Sequence, residues 1–193
     1  MAGQGEPSPR RRMVEAAAWM LRSRSYAEAS LRDIVAAADA PWGSLQHYFP
    51  GGKQQLAVEA IDLGRAEVGE FIEEAFARTR SAEGATSWFF DTSGRKLEET
   101  GYEYGCPVAT VALERSTLAD EVAAAAAAAL EEWVDRFAAG FRADGIEGRA
   151  ARRLATGVLS QYEGALLIAR SSHSLAAMRT AKSLVRGMVE AAR

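Results

Sequence analysis

The chain has 193 residues, 48% of them hydrophobic and 25% charged, with a formal net charge of −3, so it is an ordinary soluble globular composition and not a polycation. Cys106 is its one cysteine, which excludes an internal disulfide and fits a reducing, cytoplasmic setting. The longest uncharged apolar run, residues 122–130, falls well short of the ~20 residues that cross a bilayer, so no membrane partner is expected.

Alanine is abundant, β-branched residues are sparse, and glycines sit mainly between periodic segments. An all-α fold of about nine helices is the expectation. The opening MAGQGEPSPRRR is charged without an apolar core, so it reads as a flexible tail over residues 1–9 and not as a secretory leader. Val14, Ala17, Ala18 and Leu21 recur at helical spacing, which predicts a first helix over about 9–24. Ser30 followed by Asp33 marks a capped start, and Leu31, Ile34 and Val35 give a short second helix to about Ala38.

The stretch PWGSLQHYFPGGK comes next. Asp39 and Pro41 make a tight turn, a helix of about two turns runs over 41–48, and Gly51 and Gly52 end it. A fourth helix then runs from Lys53 to about Thr79. Two short helices held by longer neighbours form a helix-turn-helix, in which the second helix is presented and not buried. Leu45 and Phe49 can anchor one of its faces. The charge pattern agrees: residues 1–53 hold seven Lys/Arg against five Asp/Glu, while the remainder is net acidic.

Five more helices are predicted, over about 84–100, 107–116, 118–143, 147–171 and 174–191. Domain limits follow: a helix-turn-helix unit over 10–52 and a larger body over 53–193. The sequence holds no metal-ligand spacing, no phosphate-cradling glycine loop and no nucleophile–base pair. It is read as a non-enzyme with no cofactor and no metal.

The segment AEASLRDIVAAADAPWGSLQHYFPGGKQQLAVEAI resembles the DNA-binding domain of TetR-family transcriptional regulators. Ile34, Ala36, Ala38, Leu45, the Tyr48–Phe49 pair, Lys53 and Leu56 carry the resemblance. YFPGGKQQL together with the later YGCPVATVALE resembles the branch with the lincomycin-resistance and flavonoid-responsive repressors. The sequence departs from the family at Asp39 and Ser25, where glycine is common, and at Gln46, where tyrosine is common.

The resemblance implies a ligand-responsive repressor, a homodimer on a palindromic double-stranded DNA operator, released by a small apolar or aromatic effector. The alternative is a helical ligand-binding or protein-interaction module without operator binding. The DNA-binding residues expected are Ser30, Arg32, Pro41, Trp42, Gly43, Ser44, Gln46, His47, Tyr48 and Lys53. Arg10, Arg11 and Arg12 either reach DNA or form a solvated tail. Effector-lining candidates are Phe71, Trp88, Phe89, Tyr102, Cys106, Trp133, Phe137, Tyr162 and Glu163, with ordinary core the competing reading for each aromatic. Glu163 either orients a ligand or pairs with an arginine. Cys106 is either a plain buried thiol or, at a helix start, an activated redox sensor. Leu166, Leu167, Leu175, Met178, Leu184, Val185 and Met188 are expected at the dimer interface, with intramolecular core the alternative.

Overall fold

A computed structural model describes residues 7–103, 105–114 and 118–193. Among the described residues the chain is nine α-helices and no strand: α1 Pro9–Ser23, α2 Leu31–Ala37, α3 Trp42–Tyr48, α4 Gly52–Thr79, α5 Ala82–Glu99, α6 Ala109–Leu113, α7 Asp120–Ala143, α8 Gly148–Ser172 and α9 Ala176–Ala191.

The helix starts follow local chemistry. Ser8, Ser30 and Ser81 accept hydrogen bonds from the amides of Arg11, Asp33 and Gly84, satisfying donors that a helix leaves open at its first turn. Ser8 and Pro9, at the end of the expected tail, belong to the start of α1. Residues 1–6 lie outside the described residues, and Ser8 already caps α1. The helix expected over 107–116 is shorter than its sequence suggests. Residues 105–108 are taken up in packing against α1 and α4, so α6 starts only at Ala109, and Arg115 to Thr117 lie outside the described residues.

The arginine run is not a free tail. Arg12 donates to the carbonyls of Ala38 and Asp39, both at 2.8 Å, and so holds the α2–α3 turn. That turn needs holding, because Asp39 sits at φ 45°, in the left-handed region. Arg10 pairs with Glu59 at 2.6 Å and lies 5.5 Å over the Phe49 ring, while Arg11 pairs with Glu15 one turn on.

One continuous apolar core organises the packing, with two parts. Met13, Leu21, Ile34, Leu45, Phe49 and Ile61 close the first around α1 to α4. Phe89, Phe90, Phe137 and Phe141, with Phe76 edge-on to the last two, form an aromatic centre between α4, α5 and α7. Helix α4 packs on α1 at one end and on α7 along its length, so it belongs to both units. Its 28 residues span about 42 Å at 1.5 Å each. No helix of the described residues is long and apolar enough to cross a membrane.

Candidate nucleic-acid interface and ligand cavity

Helix α3 is held by Leu45 alone and by Phe49 just beyond it, both buried. Tyr48 is half-buried against the core and Ser44 is half-buried, while the remaining residues face outward. Pro41, Trp42, Gly43, Gln46 and His47 are exposed, Trp42 to 55%, an unusual placement for the largest apolar side chain. Ser44 donates its hydroxyl to the Pro41 carbonyl at 2.6 Å, which tightens the first turn. The His47 and Tyr48 rings sit edge-on at 5.0 Å. A Cβ built at Gly43 meets nothing within 4 Å. Glycine weakens a helix relative to alanine, so an open glycine here gains nothing from the chain's own packing. Ser30 and Arg32 open α2, with Arg32 exposed.

Lys53 is placed differently from its sequence reading. Its Nζ donates to the Ala27 carbonyl at 3.2 Å and lies 4.5 Å over the Tyr26 ring, so it is tied to the α1–α2 loop. Burial lowers its pKa from the usual value, and the charge of Glu114 acts the other way.

Between the helices of the body lies a cavity of about 310 Å³. Six of the expected effector residues line it: Phe71, Phe89, Cys106, Trp133, Tyr162 and Glu163. Three do not. Phe137 is fully buried against Phe89 and Phe141 and is core. Trp88 packs beside Phe71 and under Arg78, one helical step away from the face that Phe89 turns inward. Tyr102 stacks near His173 and donates to Glu98 at 3.4 Å, away from the opening. Sequence reasoning missed Arg22, Val68, Ser93, Lys96 and Leu159. Arg22 had a readable signal, since it continues the Ala18 stripe of α1 by one turn and is nearly buried, ion-paired to Glu67.

Two titratable groups in the wall are shifted by burial. Glu163 is raised to about 7, with a hydrogen bond from the Cys106 thiol opposing. Its Oε1 is buried without a partner, so it is not the arginine pair considered from sequence. Cys106 is raised well above its ordinary value by burial and by the charge of Glu163. A raised pKa keeps the thiol in its neutral form, which favours the plain buried thiol of the two readings over the activated one. Among the described residues no His/Cys/Asp/Glu cluster could hold a metal.

The cavity wall is also a joint. A Cβ at Gly105 would lie 2.5 Å from the Arg22 carbonyl, and one at Gly64 would lie 2.8 Å from Pro107. Residues 105–107 are thus wedged between α1 and α4. The segment runs on into α6, where Thr110 donates to the Leu21 carbonyl. At the far end of α6 the Glu114 carboxylate accepts from the amides of Tyr26 at 2.5 Å and Ala27 at 3.1 Å.

The expected dimer residues divide. Leu166, Met178 and Val185 are buried within the chain: Leu166 of α8 lies in the cavity wall, and Met178 and Val185 are on the apolar stripe that α9 lays on α5 and α8. Leu175 turns toward Gly94 of α5, and Met188 covers Gly157 of α8. Leu167 and Leu184 are exposed at 60% and 54%, as is Ile168, which sequence reading passed over.

Residues 82–184 match the family model described as the C-terminal domain of LmrA/YxaF-like transcriptional regulators. An uncharacterized HTH-type transcriptional regulator of Mycobacterium tuberculosis is 37% identical over 172 residues, covering 86% of this chain and 87% of that one. The HTH-type transcriptional regulator LmrA of Bacillus subtilis is 30% identical over 164 residues, covering 82% and 85%. Among solved structures, regulatory protein TetR from Rhodobacter sphaeroides superposes with a TM-score of 0.83 over 92% of this chain and 97% of that one, at 23% identity. A TetR transcriptional regulator from Legionella pneumophila gives 0.84 over 94% and 97%, at 18% identity. An exposed helix-turn-helix on a helical body, matched in sequence across both parts, makes this chain a member of the TetR family of DNA-binding transcriptional regulators, in the LmrA/YxaF-like branch.

Proposed function

We propose that the protein is a cytoplasmic, dimeric repressor whose α3 helices read a near-palindromic operator and whose cavity takes a small apolar or aromatic effector that ends binding. Residues 10–52 act as the DNA-binding unit and 53–193 as the effector and dimer unit. Trp42 and Gly43 approach the major groove, with Trp42 suited to thymine methyls or sugar. Gln46 and His47 hydrogen-bond base edges, while Ser30, Arg32, Ser44 and Tyr48 hold phosphates. Lys53 contributes charge from its place beside the α1–α2 loop. The observation that carries the ligand-response reading is the wedge at 105–107, which borders the cavity, touches α1 and α4, and leads into the helix whose end grips the DNA-binding unit. An effector that displaces the wedge would move that grip.

The dimer reading rests on Leu167, Ile168 and Leu184, which leave apolar side chains exposed on the outer faces of α8 and α9. Twofold pairing would cover them and set the two α3 helices about 34–36 Å apart, or wider where the operator half-sites are wider. The test is binding to the DNA upstream of the protein's own gene, measured by fluorescence anisotropy against salt. Six phosphates neutralised per dimer predict a log–log slope of about −5. Gln46→Ala and His47→Ala are expected to change sequence preference. Indifference of binding to both, or no binding at low salt by pure dimer, refutes the reading and favours a helical interaction module.

A further inference from the structure

Among the described residues, two side-chain polar atoms are buried without a hydrogen-bond partner: Glu163 Oε1 and Arg170 Nε. A buried carboxylate oxygen with nothing to accept from is unfavourable, and a folded chain retains such a group where something else completes it. Glu163 lies in the wall of the cavity. The charges around it do not complete it. Arg22 is committed to Glu67, and Lys96 lies over the Phe71 ring at 4.4 Å. Arg170, seven residues on along α8, lines the neighbouring surface groove that also reaches Glu163, yet its Nε remains unpartnered. Among the described residues, the group bonded to the Glu163 carboxyl is the neutral thiol of Cys106.

Four aromatic rings share the wall with the Arg22 and Lys96 side chains, Ser93 and the aliphatic Val68, Leu159 and Leu166. Phe71, Phe89, Trp133 and Tyr162 surround the space, with Phe89 and Tyr162 edge-on at 4.8 Å. Rings of this kind attract a cation to their faces, and a carboxylate beside them supplies the acceptor. We infer that the effector is an aromatic amine, its ammonium donating to Glu163 Oε1 and its ring lying among Phe71, Phe89 and Trp133. The volume of about 310 Å³ is at the small end of ligand pockets and suits a one- or two-ring frame. This inference rests on the effector-cavity reading given above.

The test uses three probes of one shape: 2-(naphthalen-1-yl)ethylamine, 2-(naphthalen-1-yl)ethanol and 3-(naphthalen-1-yl)propionate, titrated calorimetrically into the full-length protein. The amine is expected to bind at least tenfold tighter than the alcohol, and the propionate not at all. Because an ammonium favours the ionised carboxylate, amine binding at pH 7 should release a proton, seen as heats that depend on the buffer. Cys106, Lys96, Arg22, Glu67, Tyr162 and Arg170 are the other charged or titratable groups facing the site, so the proton is assigned with Glu163→Gln. That isosteric variant should lose at least tenfold for the amine, lose the proton release, and keep the alcohol within twofold. No amine heat at millimolar concentration, equal binding of amine and alcohol, or an amine preference that survives E163Q overturns the inference. The comparison of probes and the buffer dependence decide it on the native protein even where the variant does not fold. Operator anisotropy is measured separately. Amine binding that leaves operator affinity unchanged supports this site and refutes the release of DNA by effector, whereas release caused by the alcohol alone does the reverse.

Discussion

Replacing Gly43 with alanine should strengthen the fold and weaken DNA binding. The added Cβ meets no atom within 4 Å, and Gly43 is not among the positive-φ glycines, so the backbone accepts alanine without strain. Alanine is favoured over glycine by about 1 kcal/mol in a helix interior, and roughly half of that is reasonable in the first turn of a seven-residue helix. For a chain of this size, 1 kcal/mol corresponds to about 2–4 °C, so a rise of roughly 1–2 °C in the melting temperature is expected. On DNA the same methyl stands between Trp42 and Gln46, where the groove must come close. Losing one good base contact there is worth about 1–3 kcal/mol, or about five- to 150-fold in affinity. Thermal melting and operator anisotropy on the same preparation read the two effects. A raised melting temperature with unchanged affinity would refute the close approach of α3 to DNA. A lowered melting temperature would refute the open geometry around Gly43.

Asp39→Gly should relieve the left-handed strain at φ 45° and raise stability by up to about 1 kcal/mol, with operator binding retained, because Arg12 holds the backbone carbonyl and not the side chain; chemical denaturation checks it. Glu114→Ala removes the acceptor for the Tyr26 and Ala27 amides, so amide exchange over residues 25–30 should quicken and global stability fall by about 1–2 kcal/mol. Glu163 gives a pH signature. Burial raises its folded pKa to about 7 from the ordinary 4.5, so the folded chain holds the proton more tightly than the unfolded one. Its contribution is full below pH 4.5, falls as pH rises through 7, and amounts to about 3 kcal/mol once lost. Urea denaturation of the native protein and E163Q across pH 5 to 8.5 should show the two stabilities diverging upward in favour of E163Q, and parallel curves would contradict the burial of Glu163.

Helix positions were legible because alanine-rich segments with regular apolar stripes leave few alternatives. Serine caps and glycine breaks fixed most ends within a residue or two. The presented helix was legible for the same reason in reverse, since α3 carries too few apolar residues to be core. What periodicity does not encode is the partner of a buried face. Val185 and Met178 lie on a strong stripe, but the stripe says only that the face is covered, and α5 and α8 of the same chain cover it. The cavity was half legible. Aromatic residues announced themselves, yet Phe89 and Phe137 differ by which way a packed ring turns, and Arg22 enters from a helix far away in sequence. Lys53 shows the same limit: the sequence offers it to a phosphate, and the oxygen that accepts from it in the structure belongs to Ala27, 26 residues away in a loop.

The joint between cavity and DNA-binding unit has a size that suits a switch. Among the described residues, the hydrogen bonds of α6 to the DNA-binding unit include two accepted by the Glu114 carboxylate from the Tyr26 and Ala27 amides and one donated by Thr110 to the Leu21 carbonyl. At about 0.5–1.5 kcal/mol net each, they add roughly 2–4 kcal/mol to the contact between α6 and the α1–α2 segment, beside the packing of α4 on α1. Coupling between two ligand sites usually amounts to about 1–3 kcal/mol, so losing part of this joint would change operator affinity about five- to a hundredfold without unfolding either unit. A much larger joint would resist any small effector, and a much smaller one would leave the DNA-binding unit indifferent to the cavity. An effector can move the joint only by its own preference for the displaced state. In this cavity the group best placed to supply that preference is Glu163, because it shares a hydrogen bond with Cys106, the residue at the base of the wedge. Satisfying Oε1 from the ligand side would recruit the carboxylate away from the thiol, and the strain would pass to Pro107, to α6 and on to the loop that Glu114 holds.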